Sequence, residues 1–511
     1  MRIQRAILCL TTVMTCGTAS VAVAQLRICE WNVTNYSNNL PDSRDAAFRA
    51  AIYGQFEGRA LAPDVLVCQE FISQASVNAF LSLLNNAPGS PGDWAAGQFV
   101  NGNDTDSALF YRTTRVDLLQ VATIAVGGPP PNQPRNTMRY LVRPKDYNAN
   151  AAILAIYSSH MKAGATSEDQ ARRALEATRI RANAETLNPA YHFMLCGDLN
   201  VQTSQEEAYQ VLVSSQTNDT GRFFDPISTP GHWNNNCAFQ FVHTQDPAGA
   251  GGMDDRHDQI LMELSLLDGQ GLAYIGQPGI PYSTTTWNDA NHSYRAWGND
   301  GTSCNSSLRI NGNTMVGPVI AQALVTAAAN GGHLPVFADF RVPAKIDAPV
   351  LIDFGQVALD DLAEQTFTVT NAGDVALWNA AGIDALDYTL SASAGFAVPG
   401  GAFVEPPGGA GNLHVVSMDT STPGPKSGTL TIVSDAPENP QWVISLVGEV
   451  LGGVVGDIDG DGDVDQSDLG LLLTAWGTCA GDPGYNPSAD LDDSGCIGQG
   501  DLGLLLSNFG G

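Results

Sequence analysis

Between residues 26 and 345, apolar positions come in short runs that break at polar residues, the spacing of buried strands. The strand-like runs are 26–32, 64–68, 107–111, 152–159, 192–196 and 258–263. One longer stretch, 167–187, has helical periodicity, with Ser167 read as N-cap and Asp169 in the first turn. Strands alternating with helices predict an α/β layered domain over residues 26–345. The segment 126–135, with Pro129, Pro130 and Pro131, reads as a surface loop.

The pattern changes twice further on. Over 346–450 helical periodicity disappears, and alternating runs such as 366–370 and 429–433 are split by Gly, Pro and Asn turns. That predicts an all-β sandwich. The run Ile352-Asp353-Phe354-Gly355-Gln356-Val357, followed by Phe367 to Gly373, resembles Ig-like modules appended to exported enzymes. It carries no polar cluster, so a spacer or weak binder is expected. Residues 451–511 contain a repeat: Asp468-Leu469-Gly470-Leu471-Leu472-Leu473 recurs 33 residues later as Asp501-Leu502-Gly503-Leu504-Leu505-Leu506.

The first residues add a destination. Arg2 and Arg5 precede an apolar stretch from Ala6 to about Val13, and small residues end in Ala22-Val23-Ala24. This order predicts a cleavable export signal over 1–24, because the apolar run is too short to span a bilayer. The mature chain is therefore expected to be secreted, without a transmembrane segment.

The formal charge of −29 argues against a phosphate-handling protein until it is divided along the chain. Basic against acidic residues number 21 to 29 over 26–345, 1 to 13 over 346–450, and 0 to 11 over 451–511. Only the first part has the near-balance that a phosphate site tolerates. Of nine cysteines, Cys29, Cys68 and Cys196 lie in apolar runs and are expected as buried thiols. Cys479 and Cys496 suit a disulfide in an exported chain, and Cys237 with Cys304 is a second candidate pair.

Polar residues of distinct types stand at the strand ends. They are Trp31-Asn32-Val33, Gln69-Glu70, Ser159-His160-Met161-Lys162-Ala163-Gly164, Gly197-Asp198-Leu199-Asn200, Arg256-His257-Asp258-Gln259-Ile260 and His333-Leu334-Pro335-Val336. Phosphate-ester hydrolysis requires a hard cation held by oxygen ligands, and Glu70, Asp198, Asn32 and Asn200 supply them. It also requires a base and transition-state donors, roles suited to His333 and His160. Asp258 is placed to hold one imidazole in the correct tautomer.

As an ordered set these motifs resemble the endonuclease/exonuclease/phosphatase superfamily, the DNase I-like fold, across residues 26–342. The resemblance implies a four-layer sandwich of two sheets flanked by helices. It puts Glu70, Asn32 and Asp198 at a catalytic Mg²⁺ or Mn²⁺, and Asp198 and Asn200 at phosphate or water. It makes His160 a transition-state or leaving-group stabiliser, and pairs His333 with Asp258 as the base. The family's last motif reads Ser-Asp-His, whereas this chain has Gly331-Gly332-His333. The missing aspartate implies weaker metal binding, use of a single metal, or lost activity. Under the first of these, Gly332→Asp is expected to lower the metal requirement.

In the tail, Asp457, Asp459, Asp461, Asp465 and Asp468 occupy positions 1, 3, 5, 9 and 12 of an EF-hand-type calcium loop, with Asp463 between them and Gly462 at the sharp turn. Asp490, Asp492, Ser494 and Asp501 repeat the pattern, with Gly498 at position 9. Each loop precedes a leucine-rich helix, and the two helices are expected to pack together. The arrangement resembles a type I dockerin, which implies bound Ca²⁺, a cohesin-like protein partner and cell-surface attachment or assembly.

Three functions fit this chain. The first is an extracellular nuclease acting on DNA or RNA, favoured because 158–164 resembles that motif in extracellular nucleases. The second is a phosphoesterase for a lipid or small molecule, of sphingomyelinase or inositol-phosphatase type. The third is a non-catalytic, anchored binding protein.

Overall fold

The computed structural model describes residues 25–37, 39–127, 135–249, 251–329 and 331–510. The expected export signal at 1–24, and Pro129–Pro131 of the expected loop, lie outside the described residues.

The first part runs β1 (Leu26–Tyr36), α1 (Asp45–Tyr53), β2 (Val65–Phe71), α2 (Gln74–Asn86), β3 (Trp94–Ala96) and β4 (Asp106–Arg112). It continues through β5 (Val116–Ala125), β6 (Thr137–Pro144), β7 (Leu154–Ser158), α3 (Ser167–Ala184), β8 (His192–Asp198) and α4 (Glu207–Val213). It ends with β9 (Asp258–Met262), β10 (Ala273–Tyr274), β11 (Arg295–Ala296), α5 (Gly317–Ala328) and β12 (Val336–Arg341). One sheet has the order β10-β12-β1-β2-β4-β3, with β11 also on β12, and the other has β5-β6-β7-β8-β9.

Alternation along the strands builds the layers, since successive side chains point to opposite faces. In β1, Leu26 and Ile28 enter the core shared with Tyr140, Ile156, Cys196 and Ile260 of the second sheet. Cys29, Trp31 and Val33 face the other way, onto Phe48, Phe80 and Leu324 of the helices. In β8, Met194 and Cys196 point into the space between the sheets, and Phe193 and Leu195 point out to Ala177, Ile180 and Leu212. Helices, sheet, sheet and helices form four layers in a mixed α/β, sheet-rich structure. The N-cap expected at Ser167 is instead Thr166, whose hydroxyl accepts from Asp169 N at 3.2 Å while Asp169 Oδ2 accepts from Thr166 N. Cys29, Cys68 and Cys196 are buried thiols, and Cys237 is bonded to Cys304.

The next part holds β13 (Ile346–Asp347), β14 (Leu351–Ala358), β15 (Ala363–Asn371), α6 (Val375–Trp378), β16 (Leu386–Ala392) and β17 (Phe396–Ala397). After these come β18 (Ala402–Glu405), β19 (Asn412–Met418), β20 (Gly424–Ser434) and β21 (Gln441–Leu451). Sheets ordered β13-β15-β19-β17 and β14-β21-β20-β16-β18 enclose one apolar core containing Phe367, Val416, Ile432 and Leu446.

This part, expected as a spacer or weak binder, packs onto the first. Trp378 is 1% exposed and lies in the core between the two N-terminal sheets, with Arg115 stacked 3.9 Å above its ring. Arg115 also bonds Leu377 O and donates to Asp64 Oδ1 at 2.9 Å. Val342 and Asp384 extend the attachment by backbone bonds, and Glu438 accepts from Asn148 N and Ala149 N at 2.6 and 2.7 Å.

The tail carries α7 (Gln466–Ala475) and α8 (Gln499–Ser507), with Cys479 bonded to Cys496. The leucine triplets do not pack as blocks. Leu472 and Leu505 enter a small core with Val464 and Ile497, while Leu471, Leu473 and Leu506 stay exposed. Among the described residues, no helix is long and apolar enough to cross a membrane.

Candidate metal and acid–base site

Sheet direction gathers the strand-end motifs. β1 runs parallel to β2 and antiparallel to β12, and β7 runs parallel to β8 and antiparallel neighbours complete the set with β9. The C-terminal ends of β1, β2, β7 and β8 thus meet the N-terminal ends of β9 and β12 at one edge. Asn32, Glu70, His160, Asp198, Asn200, Asp258 and His333 all sit there, within or beside those six ends.

Their contacts form one network. His333 Nδ1 lies 2.8 Å from Asp258 Oδ2, which also accepts from Thr244 Oγ1 at 2.6 Å. His333 Nε2 faces Asp198 Oδ2 at 3.6 Å. His160 stands between two acids, with Nε2 3.3 Å from Asp198 Oδ2 and Nδ1 3.6 Å from Glu70 Oε1. Asn32 Nδ2 donates to Glu70 Oε1 at 3.0 Å and to Asp198 Oδ2 at 3.1 Å. Its oxygen accepts from Thr34 N, so Asn32 presents N–H groups rather than a ligand oxygen to the carboxylates. Asn200 N donates to Asp198 Oδ1 at 3.0 Å, and Asn200 Nδ2 donates to Met161 O. Glu70 (φ 69°) and Asn200 (φ 52°) both adopt left-handed backbone, which turns the chain sharply as each strand ends.

Electrostatics separates the two imidazoles. Burial disfavours charge on His333, yet Asp258, Asp198 and Glu70 together raise it to about 10. Burial, reinforced by Arg135, His333 and His257, holds His160 well below its ordinary value, so its ring is neutral. Burial raises the Asp198 carboxyl, and His333 opposes that rise. Behind the network, Glu30 is fully buried, and its carboxyl is pushed far up by burial and then by Asp258 and Asp198.

The donor set fits a divalent cation. Asp198, Asp258 and His333 each offer a ligand atom within 4.8 Å of the others, and the Glu70 carboxylate faces the same space through His160. Asp258 Oδ1 and His160 Nδ1 are buried with no hydrogen-bond partner among the described residues. Three carboxylates around the single raised imidazole of His333 leave an excess of negative charge that a divalent cation would offset.

Gly332 has φ +70°, and a Cβ there would stand 2.2 Å from Ala328 O and 2.7 Å from Thr34 Oγ1. The backbone at 332 thus opposes a side chain, against the expectation that Gly332→Asp lowers the metal requirement. Thr244 had no sequence signal, since it joins the site from a loop. Asp246, Asp254 and Asp255 lie near the network without a sequence signal, whereas His257 stands inside the 256–260 motif, in which only Asp258 was given a role.

In the tail, Asp457, Asp459, Asp461 and Asp468 converge, as do Asp463, Asp465 and Asp468, and separately Asp490, Asp492 and Asp501. Asp468 Oδ1 and Asp501 Oδ1 accept equivalent pairs of backbone N–H groups, Ile458 with Asp459 and Leu491 with Asp492. Ser494 Oγ donates to Cys496 O at 3.0 Å.

No family model matches the chain, and no curated protein matches it. Solved structures similar to it include D. rerio TDP2 complexed with single-strand DNA product, 14% identical, covering 62% of this chain and 100% of that one at a TM-score of 0.37. Another is the human Nocturnin catalytic domain with bound sulfate anion, 16% identical, covering 62% and 94% at a TM-score of 0.35. A third is an endonuclease/exonuclease/phosphatase family protein from Bacteroides thetaiotaomicron, 15% identical, covering 62% and 97% at a TM-score of 0.35.

Proposed function

We propose that this chain is an exported, divalent-metal-dependent phosphodiesterase of the endonuclease/exonuclease/phosphatase type, hydrolysing DNA or RNA. The observation that carries the reading is the His333–Asp258 pair at 2.8 Å, with Nε2 turned toward Asp198 in a cluster of three acids and two histidines.

In this reading Glu70 and Asp198 hold the cation, and Asn32 fixes both carboxylates by donating to each. A bound Mg²⁺ or Mn²⁺ supplies positive charge that offsets the negative charge developing on the phosphate. Asp258, itself anchored by Thr244, keeps the proton of His333 on Nδ1 and leaves Nε2 to take one from water. Neutralising Asp198 and Glu70 removes two of the three anions that make His333 so basic, which brings it toward a useful range. His160, kept neutral by burial, offers an N–H to a phosphate oxygen. Asn200 positions the attacking water. The tail loops bind Ca²⁺ in a dockerin-like domain that attaches the enzyme to a cohesin-like protein at the cell surface.

The test is hydrolysis of plasmid DNA, RNA, sphingomyelin and an aryl phosphodiester with Mg²⁺, Mn²⁺ or Ca²⁺. Nucleic acid should be cleaved, and cleavage should stop with EDTA. Glu70→Ala, Asp198→Ala and His333→Ala should each lower kcat by at least about 10²-fold. Wild-type rates in any two of them, or turnover of sphingomyelin alone, would refute the reading.

A further inference from the structure

A cavity of about 380 Å³ opens on the helix-covered face of the first sheet. Arg27, Arg59 and Arg295 line it with Trp287, Trp297 and Phe337, and Asn379 of the β-rich part borders it too. Its size falls among those of small-molecule sites, about 300–1,000 Å³. Arg27 is five residues before Asn32 in β1. The cavity therefore lies on the opposite face of that strand from the catalytic edge, and about 16 Å along it.

The lining holds three guanidinium groups and one carboxylate, in a chain whose formal charge is −29. The carboxylate, Asp339, is taken by Arg27, which donates from Nε at 2.6 Å and from Nη2 at 2.8 Å. Arg295 meets no carboxylate among the described residues. It donates to the carbonyls of His292, Tyr294 and Asp289 at 2.6, 2.7 and 2.8 Å, and its Nε has no partner there. Neutral acceptors fix a guanidinium without cancelling its charge. Arg59 donates from Nε and Nη2 to the Met315 and Thr314 carbonyls and to the exposed Glu57, which leaves Nη1 without a partner among the described residues. The Arg59 guanidinium lies 5.1 Å over the Trp287 ring. Trp297 supplies an independent observation: its indole N–H is buried without a hydrogen-bond partner, and the residue forms a wall of this cavity. Buried donors left unpaired are uncommon.

We propose that the cavity binds a planar organic phosphate, with Arg59 and Arg295 taking the phosphate and Trp287 the ring. Guanidinium forks match phosphate oxygens and bond them more strongly than neutral donors do. The half-buried Trp287 indole offers the planar part a stacking surface. The carbonyls that hold Arg59 and Arg295 order both groups before the ligand arrives, which lowers the entropy cost of binding. A nucleoside monophosphate is the member of this class that a nuclease releases. That choice rests on the function proposed above, whereas the charge and shape of the cavity do not.

The test is isothermal titration calorimetry of the full-length protein with adenosine 5′-monophosphate, adenosine and inorganic phosphate, in Ca²⁺ without Mg²⁺ or Mn²⁺. The monophosphate should bind at one site, at least about tenfold more tightly than adenosine or phosphate alone. Arg295→Gln should weaken it at least about tenfold, the loss of one charge-assisted hydrogen bond. Arg295 also holds backbone carbonyls, so Asn288→Trp serves as a second variant. Asn288 is exposed at the cavity rim and its side chain makes no hydrogen bond among the described residues, so a bulky replacement should weaken binding by filling the space alone. Asp198→Ala should bind the monophosphate as wild type does. Wild-type affinity in either Arg295→Gln or Asn288→Trp would overturn the proposal, as would loss of binding in Asp198→Ala. Binding by a protein that cleaves no nucleic acid would remove the nuclease reading and leave the site standing.

Discussion

Two single residues set limits on how this chain tolerates change. At Gly332 a side chain must take up a left-handed backbone, costing about 1–2 kcal/mol, and also collide with a carbonyl 2.2 Å away. Gly332→Asp should therefore destabilise by more than about 2 kcal/mol in urea denaturation, and should not reduce the metal needed for half-maximal activity. A variant of wild-type stability would show that the loop can open. Glu176 offers a pH-dependent test. It is buried with its carboxyl raised to about 7, mainly by burial, while Lys162 N donates to it at 3.0 Å. The folded state thus holds a proton that the unfolded chain releases near its ordinary value of 4.5. The stability this group contributes is complete below pH 4.5 and is lost as pH rises through 7, at up to about 1.4 kcal/mol per pH unit. Glu176→Gln should remove that slope, so denaturation midpoints of the two proteins should converge or cross as pH rises from 4.5 to 7. Parallel curves would mean that Glu176 is ionised throughout.

At the scale of elements, the four-residue α6 does more than its length suggests. It carries Trp378 out of the β-rich part and into the core between β1 and β6 of the first part. The indole is closed over by Arg115, whose charge is met by Asp64 at 2.9 Å. Trp378→Ala should cost about 3–5 kcal/mol, as large-to-small changes in cores do. Urea unfolding should then show the two parts separating, and proteases should cut near 345. A single transition at wild-type denaturant concentration would show that backbone bonds at Val342 and Asp384 hold the parts together without it. Elements also show where local pattern sufficed. The runs at 26–32, 64–68, 107–111 and 192–196 became β1, β2, β4 and β8, because buried strands read as compact apolar runs whichever sheet they join. α1, α2, α5, β5 and β6 were not anticipated. In β5, much of the strand is only half-buried, which blurs its alternation, and α5 is apolar almost all round.

At the scale of the whole molecule, charge is segregated, and the proposed Ca²⁺ in the tail loops would be its counterweight. The tail has 11 acidic residues and no basic ones, so without cations it should repel itself and lose helix. A peptide of residues 451–511 should gain helical circular dichroism with Ca²⁺ and lose it with EGTA, and Asp457→Ala with Asp490→Ala should abolish the response. Equal helicity in EGTA would mean that the disulfide and the small core of Leu472 and Leu505 suffice.

The sequence by itself determined what depends on neighbours along the chain. Strand alternation, the two Asp/Gly loops, the β-rich composition of 346–450, and the presence of Asn, Glu, His and Asp at strand ends are all local, and local sterics and burial act on them directly. Only the tertiary structure decided what depends on residues distant in sequence. It placed Glu70, Asp198 and His333 around one space through the register of two sheets, and it turned the Asn32 amide toward the carboxylates. It closed off Gly332 with a carbonyl from α5, seated Trp378 in another part's core, and brought His257 Nε2 to 3.6 Å from Asp255 Oδ1. Each of these is set by packing between layers, where a shift of one residue in register would send every side chain to the opposite face.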